Sequence, residues 1–330
     1  MGNRVVLAYG AYVVAVWLSL LVALNPSAGL LDACRSVAVL VVLCLSLVLF
    51  ASSPDWRPWL AKSATLAGLA CGMVGLCQCY ECAVWNAPTR AVMERVTGLL
   101  GNVNLFTGYL GLLCPLCLAG AAILRGAWRW FAVVATTNLL FLSLILQCRS
   151  AWLAAISSLA IFILFAGFQP GLFGFSKRHR HALLGSVLAA VLSLTLFLQW
   201  APADNPFAFR VRAVFSEDVR FSDGGRLMIW RETWRMFADH FPFGVGAGNF
   251  KVHLQGYREA GRLDFSKIDS RWNQPHNDYL WILAEKGVIG FVAFSMAIGT
   301  AFCLGVHTVF RARSREESWI AMGAVAALAS

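Results

Sequence analysis

The sequence predicts an all-α fold, a polytopic integral membrane helix bundle with one larger extracytoplasmic loop subdomain. Of its 330 residues, 59% are hydrophobic and only 13% are charged, whereas a soluble domain carries about 25% charged residues. The charged residues lie in short stretches between long apolar runs, which is the pattern of membrane-spanning helices. One long hydrophilic segment, residues 201–275, interrupts this pattern and is the place for a subdomain outside the membrane.

Eight apolar segments are candidate spans: residues 5–24, 36–50, 60–78, 99–124, 130–146, 151–168, 182–200 and 288–310. The second is the weakest, because a helix needs about 20 residues to cross a bilayer. The first resembles a signal peptide, but its apolar run is long and no clear cleavage site follows it, so we expect an uncleaved span. Another apolar run starts near Trp319, and we expect further spans after residue 330.

These segments divide the chain into four parts. Residues 1–200 form seven transmembrane helices, and residues 201–275 form the extracytoplasmic loop with amphipathic helices. Residues 276–310 form a re-entering helix and the eighth span, and residues 311–330 form an inner loop and the start of another span.

The basic residues predict the orientation. The net charge is +10, and much of the excess lies in short loops beside apolar segments, where Lys and Arg set topology, so no nucleic-acid partner is expected. With the N-terminus in the cytoplasm, each inner loop contains at least two basic residues: Arg57 and Lys62; Arg125 and Arg129; Lys177, Arg178 and Arg180; Arg311, Arg313 and Arg315. Residues 201–275 then lie outside.

The ten cysteines give no clear metal site. Most lie inside apolar runs, where cysteine behaves as a small hydrophobic residue. The cluster Cys77, Cys79 and Cys82 has no second Cys/His pair at zinc-finger spacing, and a disulfide among Cys79, Cys82 and Cys148 is left open.

One amphipathic helix is predicted within the hydrophilic segment. Asp223 is its expected cap, and Leu227, Trp230, Trp234 and Phe237 recur at three- and four-residue spacing as one apolar stripe. Arg231 and Arg235 fall on the other side. Such a helix lies in the membrane interface or packs on the mouth of the bundle.

Two arginines are candidates for binding an anion. Arg149 lies in a tight link between two spans, where an arginine is costly unless it reaches water or an anionic partner. Arg226 is expected at the N-terminus of the amphipathic helix, where free backbone N–H groups also favour an anion. The planar guanidinium binds oxyanions through two hydrogen bonds at once, so both residues suit a phosphate clamp, although each also fits an ordinary interfacial or solvated arginine.

The glycine-rich segment Gly244 to Phe250 is predicted to be a tight turn joining two outer helices. A nucleotide-binding loop is rejected, because no strand precedes the glycines and no Gly-Lys-Ser/Thr follows them.

His276 is the candidate base. It follows Pro275 and opens a helix that is expected to break at Gly287. The helix dipole at this end lowers the pKa of an imidazole and keeps it neutral, so it can accept a proton. Asn277 and Tyr279 are candidates for orienting this histidine or an acceptor. The outer segment has no Asp-x-Asp pair, which leaves charge stabilisation to arginines and predicts neither a metal nor a cofactor.

Four blocks of the sequence resemble the O-antigen ligase and O-antigen polymerase superfamily, which also includes bacterial protein O-oligosaccharyltransferases. Their order and spacing carry the resemblance, which covers roughly residues 99–310. The blocks are Gly101-Asn102-Val103-Asn104, Cys148-Arg149-Ser150-Ala151-Trp152, Gly225 to Trp230 with Gly244 to Phe250, and His276-Asn277-Asp278-Tyr279-Leu280 with Glu285-Lys286-Gly287-Val288-Ile289-Gly290.

The resemblance implies a bacterial inner-membrane glycosyltransferase with its active site facing the periplasm. Its donor would be an undecaprenyl-diphosphate-linked glycan, and its acceptor would be a hydroxyl of a lipid A core, a growing polysaccharide or a protein. By matched motif, Arg149 and Arg226 would contact the diphosphate and His276 would serve the acceptor. Trp230, Arg231, Asn277 and Tyr279 are further candidates for binding the substrate. Direct attack on the anomeric carbon would invert its configuration.

A flippase or transporter for polyprenyl-linked glycans is the alternative function. A transporter is expected to place charged or broken helices near the middle of the bilayer. The candidate polar residues are instead expected at one face, which favours transfer chemistry on a substrate whose lipid tail stays in the membrane.

Overall fold

The protein is an all-α membrane protein, as the sequence predicts. The structure, a computed structural model, describes residues 2–52, 56–84, 96–146, 149–168, 219–257, 274–312 and 314–329. Helices and turns make up these ranges, and no strand occurs within them. Six of the described helices are long and apolar enough to cross a membrane, so the chain passes through it several times.

The helices follow one another in this order: α1 (Gly2–Ser19), α2 (Pro26–Ser52), α3 (Trp56–Val84), α4 (Val103–Ile123), α5 (Ala127–Ile145), α6 (Arg149–Phe168), α7 (Val219–Asp239), α8 (Phe250–Tyr257), α9 (Asp278–Arg311) and α10 (Arg315–Ala329). A 3₁₀ turn at Leu20–Val22 follows α1. The candidate span at residues 182–200 lies outside the described residues.

Helix α2 begins ten residues before the expected start at residue 36 and has 27 residues. Pro26 occupies its first position, where the fixed φ of proline suits a helix, and the Asn25 side chain accepts a hydrogen bond from the Ala28 N–H at 3.3 Å. Asp32 therefore lies inside the helix rather than in a loop. The apolar pattern missed this start because charged residues interrupt it, although a paired charge is compatible with a helix.

The chain divides into two compact units. One unit contains α3 to α6, the end of α9 and α10, and it is formed by Ser53–Val214 and Phe302–Ser330. Its main core contains Phe106, Leu110 and Cys117 of α4 and Leu139 and Leu142 of α5. Small residues let α3 approach these helices closely, which is the usual way that membrane helices pack. A Cβ atom at Gly75, for example, would lie 2.8 Å from Leu142 Cδ1.

The other unit contains α1, α2, α7, α8 and most of α9, and it is formed by Met1–Ser52 and Phe215–Ala301. Its first core joins Ile229, Met236 and Phe237 of α7 to Leu254 of α8 and Leu283 of α9, together with other buried residues. A second core joins α1 and α2 to α9 through Tyr12, Val16, Ala33, Ile282 and Ala293. All the site residues described below, except Arg149, lie in this unit.

Helix α7 differs from its prediction at its start and in its buried face. It begins at Val219, so Asp223 lies within the helix and does not cap it, and Arg226 lies in its third turn rather than at its N-terminus. The buried face carries Ile229, Thr233, Met236 and Phe237, whereas Leu227 and Trp234 are 59% and 54% exposed. The helix carries two neighbouring apolar stripes, and hydrophobic spacing alone does not decide which of them packs.

Candidate functional site

His276 lies in an exposed turn directly before α9. Its φ of +53° is the one positive φ of a non-glycine residue among the described residues. Histidine adopts this left-handed conformation more often than most residues, but an L-residue still pays about 1–2 kcal/mol there. The turn thus presents the imidazole to the surface at a backbone cost, which is a recurring feature of functional sites.

Asn277 fixes this turn to the helix that follows. Its side-chain oxygen accepts a hydrogen bond from the Leu280 N–H at 3.1 Å, and its backbone carbonyl accepts one from the Trp281 N–H at 2.9 Å. Both bonds satisfy N–H groups at the start of α9 that have no partner within the helix. The Asn277 side-chain oxygen is therefore engaged in capping.

Trp230 links α7 to the His276 turn. Its indole N–H donates to the carbonyl oxygen of Pro275 at 2.8 Å, and Pro275 is itself buried. Position 226 lies one helical turn before Trp230 on the same side of α7. The helix that carries Arg226 is thus tied to the residue that precedes His276. The side chains of Arg226 and Arg149 lie outside the described part of the structure.

Helix α9 breaks at Gly287, as the sequence predicts, with φ +64° and ψ −166°. The segment Gly244 to Phe250 is the predicted turn between α7 and α8, and it packs into this break. The N–H groups of Val245 and Gly246 donate to the carbonyl oxygens of Ala284 and Glu285 at 2.9 and 2.8 Å. A helix end leaves such carbonyls without a partner, and the glycine-rich turn supplies one.

The close approach of the glycine-rich turn to the break in α9 explains why glycines occupy these positions. A Cβ atom at Gly244 would lie 2.6 Å from the Ala284 carbonyl oxygen, and one at Gly287 would collide with the Pro242 carbonyl oxygen. Both residues also have positive φ, which disfavours any side chain. The turn is therefore a backbone contact that caps the broken helix.

The same turn is joined to the start of α2 by Asn249, which is fully buried. The Asn249 Oδ1 accepts from the Asn25 N–H at 2.7 Å, and its Nδ2 donates to the Asn25 and Ala247 carbonyl oxygens at 3.2 and 2.7 Å. The Ser19 hydroxyl accepts from the Ala247 N–H at 3.1 Å. A buried amide satisfied in this way fixes the relative placement of the two segments.

A buried ionic cluster lies beside the break. Lys286 Nζ is 2.9 Å from Glu285 Oε2 and 2.8 Å from Asp32 Oδ2 of α2. Glu285 Oε1 accepts a hydrogen bond from the Phe250 N–H at 3.0 Å, at the start of α8. Glu285 and Lys286 are 1% and 7% exposed, so their charges are stabilised by one another rather than by water.

Two pairs of polar side chains lie in the contact between α7 and α8. The rings of His240 and His253 meet edge to face, with their centroids 4.8 Å apart. Burial, and then the neighbouring His240, lower the pKa of His253. On the same helices, the Tyr257 hydroxyl donates to Asp239 Oδ2 at 2.6 Å. Within the described residues, no three His, Cys, Asp or Glu side chains form a cluster that could hold a metal ion.

The remaining candidates lie at the surface. Arg231 is exposed on α7, and Tyr279 is 53% exposed in the first turn of α9, where its ring packs against Phe291 and Phe294. The structure thus brings Trp230, His276, Asn277 and Tyr279 into one region. Cys79 and Cys82 are free thiols, and Cys148 lies outside the described residues.

Sequence reasoning missed the cluster of Asp32, Glu285 and Lys286. The signal was present, because a charged residue inside an apolar run requires a partner. The residue that supplies it, Asp32, is far away in the sequence, and no local pattern connects it to Lys286.

Comparison with known protein families gives one match. A family model described as O-antigen ligase matches residues 131–295, which is half of the chain. The matched region contains the His276 turn, α7, the glycine-rich turn, the Gly287 break and Arg149. The comparison with curated proteins finds no match.

Proposed function

Because the chain belongs to the O-antigen ligase family, we propose that it transfers a glycan from an undecaprenyl-diphosphate donor to an acceptor hydroxyl at the periplasmic face of the bacterial inner membrane. The acceptor is a lipid A core, a growing polysaccharide or a protein. The observation that carries the proposal is the exposed His276 turn, held in a costly conformation by the Asn277 cap and by the Trp230 bond to Pro275.

His276 acts as the general base in this mechanism. The acceptor hydroxyl gives its proton to the imidazole while its oxygen forms a bond to the anomeric carbon. The bond from that carbon to the phosphate oxygen breaks, and undecaprenyl diphosphate leaves with the bonding electrons. A general base is needed because a sugar hydroxyl holds its proton tightly at neutral pH.

Arg149 and Arg226 stabilise the departing diphosphate. Negative charge increases on the phosphate oxygens as the bond breaks, and guanidinium groups bind such oxygens through paired hydrogen bonds. The position of residue 226, one turn before Trp230, supports its share of this role. The exposed Arg231 and Tyr279 are available to the glycan, and the mechanism uses no metal or cofactor.

The flippase alternative is less well supported by α9. The charged residues Glu285 and Lys286 lie in the first third of this 34-residue helix. The part that follows Gly287 is about 36 Å long at 1.5 Å per residue, which is enough to cross the hydrocarbon core alone. The break and its charges therefore fit the membrane boundary better than the middle of the bilayer, where a transporter is expected to have them.

Lysine substitutions test the arginine clamp. We expect Arg149→Lys and Arg226→Lys to transfer more slowly than the parent protein and to bind undecaprenyl diphosphate more weakly, because lysine keeps the charge but loses the paired hydrogen bonds. The alanine variants should lose about a hundredfold or more in kcat. Lys251→Ala, at an exposed site on α8, is the control and should match the parent.

The anomeric configuration of the product tests the displacement itself. Direct attack by the acceptor oxygen inverts the donor's configuration, and NMR of the linkage reports it. A retained configuration, or near-normal transfer by both arginine-to-alanine variants in folded protein, would refute this mechanism.

A further inference from the structure

The break at Gly287 divides α9 into two segments. In an unbroken helix, the hydrogen bonds of successive turns fix the direction of the whole element. At Gly287 the backbone leaves the helical conformation, and the Val288 N–H donates to the Pro242 carbonyl oxygen at 3.0 Å. The direction of residues 278–286 is therefore set by contacts with other elements.

The buried ionic cluster supplies directional contacts at this point. Lys286 joins the end of the segment to Asp32 of α2, and Glu285 joins it to the first turn of α8 through the Phe250 N–H. Charge-assisted hydrogen bonds require a defined geometry, whereas an apolar contact tolerates sliding and rotation. Three elements are thus locked together next to the hinge.

The composition of the cluster argues against a role in stability alone. A buried ion pair often contributes no more stability than apolar residues of similar volume, and removing one partner leaves an uncompensated charge. Here two carboxylates share one ammonium group, so the charges of the three side chains do not cancel, and the excess negative charge lies with the partly exposed Asp32. Buried charges that add little net stability are compatible with a role in specifying one orientation.

The His276 turn lies at the far end of the same segment. It is about 15 Å from the break along the helix, at 1.5 Å per residue. A rotation of about 10° at Gly287 would displace the turn by about 2.5 Å over that lever arm. A displacement of about 1 Å in a catalytic group can reduce a rate about a hundredfold.

We propose that Asp32, Lys286 and Glu285 position the His276 turn by fixing the angle of residues 278–286 at the Gly287 break. The three residues act through the helix and do not touch the substrate. The consequence for catalysis rests on the proposed function, whereas the consequence for the angle does not.

Distance measurement between spin labels at positions 278 and 251 tests the angle directly. Both residues are exposed, and they lie on α9 and α8 of the same unit. In the full chain with other cysteines replaced, we expect one narrow distance distribution. Lys286→Met, which keeps the length of the side chain but removes its charge, should shift or broaden it. Gly299→Ala, in open space on the same helix, should leave it unchanged.

Transfer kinetics provide the second readout. Lys286→Met and Asp32→Asn should each lower kcat about tenfold to a hundredfold with little change in donor KM, and the double variant should lose no more than the worse single variant. Asp32 is 35% exposed at its side chain, so Asp32→Asn keeps the test available if Lys286→Met does not fold.

The two readouts separate the possible failures. A distribution that shifts in the variants, while the parent protein itself shows no transfer activity, would refute the proposed function but support the positioning role. A distribution unchanged in both single variants, or parent-like kcat in both, would overturn the positioning role.

Discussion

At the scale of single residues, the backbone conformation of His276, the proposed base, allows a clean test. Asparagine tolerates positive φ nearly as well as any non-glycine residue, so His276→Asn should keep the turn while removing the base. We expect transfer to fall about a hundred- to ten-thousand-fold. Binding of the lipid-linked donor and the melting temperature should stay near the parent values. Undiminished transfer by this variant would exclude His276 as the base.

We expect His253 to make the stability of the protein depend on pH. Its pKa is lowered in the folded state, so the folded chain binds this proton less readily than the unfolded chain, where the pKa is about 6.5. The free energy of unfolding should therefore fall as the pH drops below about 6.5 towards the lower folded-state pKa.

His253→Phe tests this contribution, because it keeps a ring against His240 but cannot titrate. Melting temperatures at pH 7.5 and 5.5 should differ less in the variant than in the parent protein. An equal difference in both would show that His253 does not contribute to the acid sensitivity.

At the scale of elements, the break in α9 depends on a residue without a side chain. Gly287→Ala places a Cβ atom against the Pro242 carbonyl oxygen and forces an L-residue to positive φ, which alone costs about 1–2 kcal/mol. We expect a clear loss of stability in thermal unfolding. Gly299→Ala in the same helix is the matched control, and it should be neutral or slightly stabilising because nothing lies within 4 Å of its Cβ position. Equal melting temperatures for the two variants would contradict this account of the break.

The bond between α7 and the His276 turn can be removed alone. Trp230→Phe keeps an aromatic ring but loses the N–H that donates to Pro275, which should cost about 0.5–1.5 kcal/mol. We expect faster hydrogen exchange at the amides of residues 276–280 and a lower kcat. Trp234→Phe, at an exposed position on the same helix, should change neither quantity. Unchanged exchange in Trp230→Phe would mean that this bond does not hold the turn.

These elements also show what the sequence can and cannot predict. The sequence predicts the Gly287 break and the Gly244–Phe250 turn correctly, because glycine acts locally, through its own backbone. The sequence places the start of α7 too late, because Asp223 is interpreted as its cap although the helix begins at Val219. The predicted stripe of Leu227, Trp230, Trp234 and Phe237 includes the buried Phe237 but also the exposed Leu227 and Trp234, because only the partners of the helix decide between two apolar stripes. The contact of Asp32 with Lys286 is invisible to any local pattern.

At the scale of the whole molecule, the described structure bears on membrane orientation through one end of the unit that contains α3 to α6 and α10. Lys62 of α3 lies over the rings of Trp59 and Trp128, and Arg57 is 3.9 Å from Glu317 of α10. Three of the basic loops expected in the cytoplasm thus meet at the same end of this unit. A belt of basic and aromatic residues is typical of a membrane boundary.

Cysteine labelling tests the predicted orientation. Lys251→Cys on α8 should react with a membrane-impermeant maleimide in intact spheroplasts, whereas Glu316→Cys in α10 should react only after permeabilisation. Both side chains are exposed, so access to the reagent and not burial decides the result. The opposite pattern would place the His276 turn in the cytoplasm and remove the periplasmic site.

The central claim is that the protein cleaves the donor at its glycosyl–phosphate bond. Mass spectrometry of the lipids, after incubation of the purified protein in detergent with lipid-linked glycan and an acceptor, tests it most directly. The account predicts one undecaprenyl diphosphate released per glycan joined to the acceptor, without added metal and without an intact bilayer. Intact donor that is not consumed in detergent, but that crosses the membrane of proteoliposomes containing the protein, would contradict the account and identify a flippase.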